Sequence, residues 1–171
     1  KKNKEIILNS ALFSRKKKIT LNVCKNNQAS SFLKPNFEIL NHFYNSARYR
    51  IVKKIKLITD TLDNQLKKNK IKDVDFLKID TQGSELAILI GSKNTIKKLI
   101  AIEVETEFVE LYKNQPLFPK IDQYLIKNDF ILLDIKRYYW KRKNSSANNE
   151  KKGQLIFADC LYMKTPEFVF K

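Results

Sequence analysis

Glu103, Glu105 and Glu107 alternate with uncharged residues in Ile102-Glu103-Val104-Glu105-Thr106-Glu107, and Asp80 ends the run Val74-Asp75-Phe76-Leu77-Lys78-Ile79-Asp80. A carboxylate can take a proton from a hydroxyl, accept hydrogen bonds or hold a cation, and its surroundings decide which. Period-two spacing puts the three glutamates on one side of a strand. An interior parallel strand is normally apolar on both faces, so carboxylates there break the local packing rule and point to a site. Glu105, near the strand's end, is a candidate general base toward a substrate hydroxyl. Glu103 and Glu105 each fit either a functional role or a solvated or lysine-paired strand face, and Glu107 and Glu110 read as solvated or lysine-paired. After Asp80 comes Thr81-Gln82-Gly83, a tight turn, and then Ser84, a candidate N-cap for a helix that stops at Gly91. Free amides at a helix start attract polar and anionic groups. Asp80 is therefore placed to bind a substrate, the amino group of a cofactor or a metal, with Gln82 beside it in the turn. The same carboxylate can instead cap the turn's own amides.

Other candidates carry weaker signals. His42, the single imidazole, titrates near neutral pH, but a lone His beside Phe43 and Tyr44 reads better as structural or surface. Tyr138-Tyr139-Trp140 between basic residues has the composition of a stacking platform, and core or edge-strand packing explains it as well. Ser30-Ser31 in a polar loop can touch a ligand hydroxyl. Cys24 and Cys160 have no motif spacing and sit in apolar runs, which reads as two buried free thiols. One His and two separate Cys make no zinc set without carboxylates, and no metal site is expected.

The elements that must position these groups follow from periodicity. Glu5 to Leu8, Lys18 to Cys24, Ile51 to Ile58, Val74 to Asp80, Ile100 to Thr106, Phe130 to Ile135 and Gln154 to Met163 read as strands. Asp60 to Lys68, the stretch from Ser84 to Gly91, and Phe118 to Asn128 read as helices, with a second short helix at Thr95 to Leu99. Phe37 to Arg48 is ambiguous. Lys141 to Lys152 is a charged Asn/Ser-rich loop, expected to be mobile. Helical crossovers imply parallel strands, and a last strand that returns without a helix is antiparallel. The expected architecture is α/β: a mostly parallel Rossmann-like sheet with an antiparallel closing strand. In such a sheet ligands bind beyond the carboxyl ends of the strands, where Asp80 lies.

A chain of 171 residues with 43% hydrophobic residues suffices for one folded domain. It has no apolar run of membrane-spanning length and no signal peptide, so the expected location is the cytoplasm. The net charge of +16 raises the prospect of a nucleic-acid partner. Only five of the 34 basic residues are Arg, the residue suited to bidentate phosphate and base contacts, and the lysines are scattered. That argues against nucleic acid, although a positive field still steers anions. A non-catalytic basic α/β domain binding a polyanion is the alternative to an enzyme.

Asp75-Phe76-Leu77-Lys78-Ile79-Asp80-Thr81-Gln82-Gly83-Ser84-Glu85 resembles the signature of FkbM-type methyltransferases. Thr61-Leu62-Asp63, Leu89-Ile90-Gly91, Ile102-Glu103-Val104-Glu105, Leu111-Tyr112, Gly153-Gln154-Leu155 and Asp159 follow the family's order, so the resemblance covers roughly residues 5 to 165. It implies a class I methyltransferase fold over residues 1–171 and transfer of a methyl group from S-adenosylmethionine. The implied acceptor is a hydroxyl on a sugar, polysaccharide or secondary metabolite. It places Ser10, Ala11 and Leu12 near the adenine and Asp80 near the transferred methyl, with Gln82 also on the cofactor. In-line transfer to a hydroxyl would then have Asp80 or Glu105 as the catalytic group that assists deprotonation. The family's first strand, its glycine-rich turn and the acidic residue for the ribose are expected ahead of residue 1, since no Gly-x-Gly occurs in the chain. The sheet is then N-terminally truncated, and these 171 residues alone are expected to bind the cofactor poorly.

Overall fold

The computed structural model describes residues 5–143 and 152–169. Within them the alternating runs become two sheets. Ala11–Leu12 (β1), Lys18–Cys24 (β2) and Ile51–Asp60 (β3) form the first, in the order β1-β3-β2. β2 and β3 pair antiparallel, with Ile19 opposite Leu57 and Leu21 opposite Ile55, while β1 runs parallel to the end of β3. The expected strand at Glu5 to Leu8 is absent: nothing covers it, and Ile7 remains 85% exposed.

The second sheet holds Phe76–Ile79 (β4), Ala101–Glu107 (β5), Phe130–Trp140 (β6) and Gln154–Lys164 (β7), in the order β4-β5-β7-β6. β4 and β5 are parallel, whereas β7 pairs antiparallel with both β5 and β6. The expectation of a mostly parallel sheet is corrected here. β4, β5 and β6 do point the same way, as helical crossovers require. However, β7 inserts between β5 and β6, so only one of three neighbouring pairs is parallel. The antiparallel β2–β3 pair belongs to the first sheet and adds no strand to that layer. The result is a mixed α/β architecture compatible with a methyltransferase-like fold.

Five helices accompany the sheets among the described residues: Phe37–Leu40 (α1), Leu62–Lys68 (α2), Glu85–Ile90 (α3), Phe118–Ile126 (α4) and Pro166–Val169 (α5). Thr61 caps α2 by accepting the amide of Asn64 at 3.2 Å. The ambiguous stretch after Pro35 resolves into α1 and a 3-10 turn at Ser46–Tyr49. Thr95 to Leu99 forms turns rather than a helix. Asp63 takes the amides of Asn94 and Thr95 at 2.8 and 2.9 Å, which satisfies backbone donors without a helical ladder. Of the predicted loop 141–152, residues 144–151 lie outside the described residues.

Two apolar clusters hold the layers. One packs Leu89 of α3 and Ile121 and Leu125 of α4 against Ile102, Val104, Ala158, Cys160 and Tyr162 of the second sheet. The other joins Cys24, Leu40, Phe43, Tyr49, Leu111, Tyr112 and Ile156 near the far end of β5 and β7. Both cysteines are buried free thiols, as expected. Among the described residues no helix is long and apolar enough to cross a membrane.

Candidate active site

The parallel register of β4 and β5 sets Lys78 beside Glu103 and Ile79 beside Val104. One step further, beyond the last paired residues, it brings Asp80 alongside Glu105 at the carboxyl end of the pair. The chain then turns sharply. Gln82 adopts φ 55° and Gly83 φ 100°, both in the left-handed region. The backbone conformation of Gly83 is what requires glycine; a Cβ there would come within 2.9 Å of Leu33 Cδ1, the end of a side chain that can shift. The left-handed Gln82 costs on the order of 1–3 kcal/mol, which its hydrogen bonds offset. Its Nε2 donates to Glu105 Oε1 at 2.7 Å and to Asp80 Oδ1 at 3.1 Å. Ser31 Oγ donates to its carbonyl at 2.6 Å. Tyr112 OH lies 3.1 Å from Gln82 Oε1 and 2.9 Å from the Ala29 carbonyl, and its single proton serves one of these acceptors at a time. Gln82 thus ties both candidate carboxylates to the polar segment around residues 26–31.

Two amides of the turn are already taken. Glu85 Oε1 accepts from Thr81 N at 2.8 Å, Thr81 Oγ1 at 3.0 Å and Gly83 N at 3.1 Å. Ser84, the expected cap, makes no capping bond, and its Oγ is buried without a partner. The expectation of free amides for an anion is narrowed: a carboxylate from within α3 already takes those of Thr81 and Gly83. Neither does Asp80 cap the turn, since its Oδ1 takes a side-chain amide.

A cleft of about 540 Å³ opens over this turn. Asp80, Thr81, Gln82 and Glu105 line it, together with residues 26–30, Arg48, Tyr49, Trp140 and Phe157. Glu105 is half-buried there, and its proton affinity is raised to about 8. Burial is the main cause, followed by the charges of Asp80, Glu85 and Asp159, while the Gln82 hydrogen bond works the other way. Behind it, Glu107 and Glu85 are each only 1% exposed. Glu107 is held well above the usual carboxylate range by burial, then by Glu85 and Glu105. Glu85 is raised by burial and held back by the amides that it accepts. Each has an Oε2 without a hydrogen-bond donor. The reading of Glu107 as a solvated residue is thus overturned: the residues around Leu111 and Tyr112 cover that end of β5.

Not every candidate reaches the cleft. Glu103 shares a face with Glu105 but pairs with Lys78, in a separate groove bounded by Asp134, Lys136 and Asp159. Glu110 accepts the amide of Asn114 at 2.5 Å. His42 is exposed, and its carbonyl accepts from Lys143 N at 2.9 Å. Tyr138 stacks on Phe157 and donates to Asp159 at 2.9 Å, so of the aromatic triplet only Trp140 faces the cleft. Ser10, Ala11 and Leu12 line a second cavity of about 350 Å³ with Leu21, Phe32 and Ile88. Ser30 and Thr81 line both cavities, which therefore adjoin. Among the described residues no group of three or more His, Cys, Asp or Glu is placed to hold a metal ion.

Sequence reasoning missed Arg48 and Tyr49 as cleft residues, and missed the buried Tyr112 behind Gln82 and the clamp formed by Glu85. Arg48 and Tyr49 sit in a stretch without clear periodicity, so nothing in the pattern assigned them a face. Glu85 did carry a signal: an acidic residue in the first turn of a short helix often turns back onto free amides.

A family model described as the methyltransferase FkbM domain matches residues 1–132. The chain belongs to the FkbM methyltransferase domain family. The FkbM match includes the 80–83 turn, Glu105, residues 26–49 and the second cavity. Trp140 and Phe157, which complete the cleft, lie beyond it, as do Gly153-Gln154-Leu155 and Asp159. Searches among curated proteins and among solved structures gave no match.

Proposed function

We propose that this protein transfers a methyl group from S-adenosylmethionine to a hydroxyl of a sugar, polysaccharide or secondary metabolite, with Glu105 as the general base. The observation that carries the reading is Glu105 itself. It is a half-buried carboxyl at the end of a parallel strand pair, lining a 540 Å³ cleft and titrating near 8. A base is most useful when its proton affinity lies close to the working pH. Of the two candidates Glu105 is better suited than Asp80, which is exposed to water.

The residues present fit the cofactor in part. The second cavity offers Ala11, Leu12, Phe32 and Ile88 as an apolar surface for a flat heteroaromatic ring, with Ser10 at its edge. Asp80, in the first cavity next to Thr81, has carboxylate capacity left for an ammonium group beyond its bond from Gln82. What the cofactor supplies is a methyl group already activated on a sulfonium. The protein's share is alignment of the acceptor and removal of its proton. Glu105 takes that proton, and Gln82 Nε2 fixes the carboxylate that receives it while holding Asp80 in register.

The test is transfer of labelled methyl from S-adenosylmethionine to a panel of glycans, using protein from the complete reading frame. Glu105→Gln should lower turnover about a hundredfold, the low end of general-base contributions, with cofactor binding retained. Asp80→Asn should act mainly on cofactor affinity. Unchanged turnover in the Glu105 variant would remove the proposed base.

A further inference from the structure

Arg48 occupies an unusual position in the cleft. Its guanidinium lies 4.8 Å from the Trp140 ring and 5.0 Å from the Tyr49 ring, and its Nη2 donates to Tyr49 OH at 3.2 Å. The two rings fix the plane of the cation without neutralising it. Among the described residues Arg48 forms no ion pair, although it is half-buried. A guanidinium has five donors in a rigid fork, suited to the two oxygens of a carboxylate or phosphate, and a protein oxygen accepts only one of them here. Two carboxyls share the cleft: Glu105 holds its proton through neutral pH, Asp80 accepts from Gln82, and among the described residues neither forms an ion pair with Arg48.

The rest of the lining narrows the ligand. Asn27 and Gln28 are exposed at the cleft, and amide side chains both donate and accept, which matches hydroxyl groups. Trp140 and Phe157 offer apolar faces beside them. A ligand with several hydroxyls, an apolar face and one anionic group satisfies all three features.

We infer that the methyl acceptor is an anionic polyol, a sugar bearing a carboxylate or phosphate, and that Arg48 selects it by pairing with that anion. This rests on reading the cleft as the acceptor site. Arg48 acts on affinity and selection, apart from the proton transfer at Glu105. The anion sits against the Trp140 side of the cleft, which leaves a hydroxyl of the same sugar free to face Glu105.

The experiment titrates protein from the complete reading frame with glucuronic acid, glucose 6-phosphate and glucose at fixed ionic strength. Binding is read by calorimetry and by tryptophan emission, with Trp140→Phe identifying the signal of Trp140, the only tryptophan of these 171 residues. At least one anionic sugar should bind about tenfold or more tighter than glucose, a modest return for one charge-assisted pair. The sugar that gains identifies carboxylate or phosphate as the anion. Arg48→Gln should abolish the preference, bringing the anionic sugar to the affinity of glucose for the same variant, and Arg48→Lys should restore part of it. Equal binding of all three sugars, binding of none, or a preference that survives Arg48→Gln overturns the inference. If the preference holds but no methyl reaches the preferred sugar, the methyl-transfer reading fails and the anion site stands.

Discussion

Asp60 at the end of β3 collects four donors, whereas Glu105 near the end of β5 receives one. Thr61 N, Asn64 Nδ2, Gln65 Nε2 and Lys68 Nζ surround Asp60 at 2.9, 3.0, 2.7 and 2.5 Å. These bonds, the Lys68 contact first, hold its carboxyl far below the usual range. Glu105 has only Gln82 Nε2 and faces other carboxylates, so its proton affinity moves the opposite way. Both carboxylates stand at strand ends. The first is fully used in joining β3 to the start of α2, and the second keeps the capacity to exchange a proton. A helix supplies Asp60 with amide and side-chain donors at suitable spacing, whereas a tight turn already clamped by Glu85 has none left for Glu105.

The contrast can be broken at either end, and the largest effect belongs to turnover against pH. A base that titrates near 8 is about 1% ionised at pH 6 and about 90% at pH 9. Turnover should therefore rise about a hundredfold between those values, with its midpoint near 8. A profile flat over this interval places the base elsewhere.

At Asp60 the measurement is stability. Its folded proton affinity lies below the unfolded value, so its contribution is present above about pH 4, the ordinary range of the side chain, and is lost as pH falls through the folded value. Asp60→Asn should cost about 2 kcal/mol in urea unfolding at pH 7, from weakened charge-assisted bonds. The gap to the unsubstituted protein should close toward pH 2. A constant gap would mean that the side chain's shape matters rather than its charge.

The smallest effect lies behind the cleft, at Glu107. Its folded proton affinity is raised, so the native state holds a proton that the unfolded chain releases above about pH 4. Stability from this group is fully present below that value and declines as pH rises toward the folded one. Glu107→Gln should leave stability at pH 4 nearly unchanged and raise it at pH 8, flattening the curve. A loss at pH 8 would show that the ionised form is stabilised in a way the fold does not reveal.

Much of the scaffold was legible. β2, β3 and β7 fall within a residue or two of their predicted limits, because alternation survives when one face of a strand is buried. The Asp80 turn was legible from a strand, a glycine and an apolar helix in sequence. Sheet order was not, since nothing in β7 tells which two strands will flank it. Glu103, Glu105 and Glu107 look alike in the chain, yet one is ion-paired, one lines the cleft and one is sealed away. Their neighbours come from residues tens of positions distant.

The sequence by itself determined which residues alternate, where glycine permits the left-handed turn and which carboxylates stand near strand ends, because these depend on local backbone sterics and side-chain periodicity. The tertiary structure decided which carboxylate keeps a proton, which cation lines the cleft and which aromatic rings face it. Proton affinity, ion pairing and burial depend on distance through space, and that distance is set only when Asp80, Arg48, Glu105 and Trp140 are folded around one cleft.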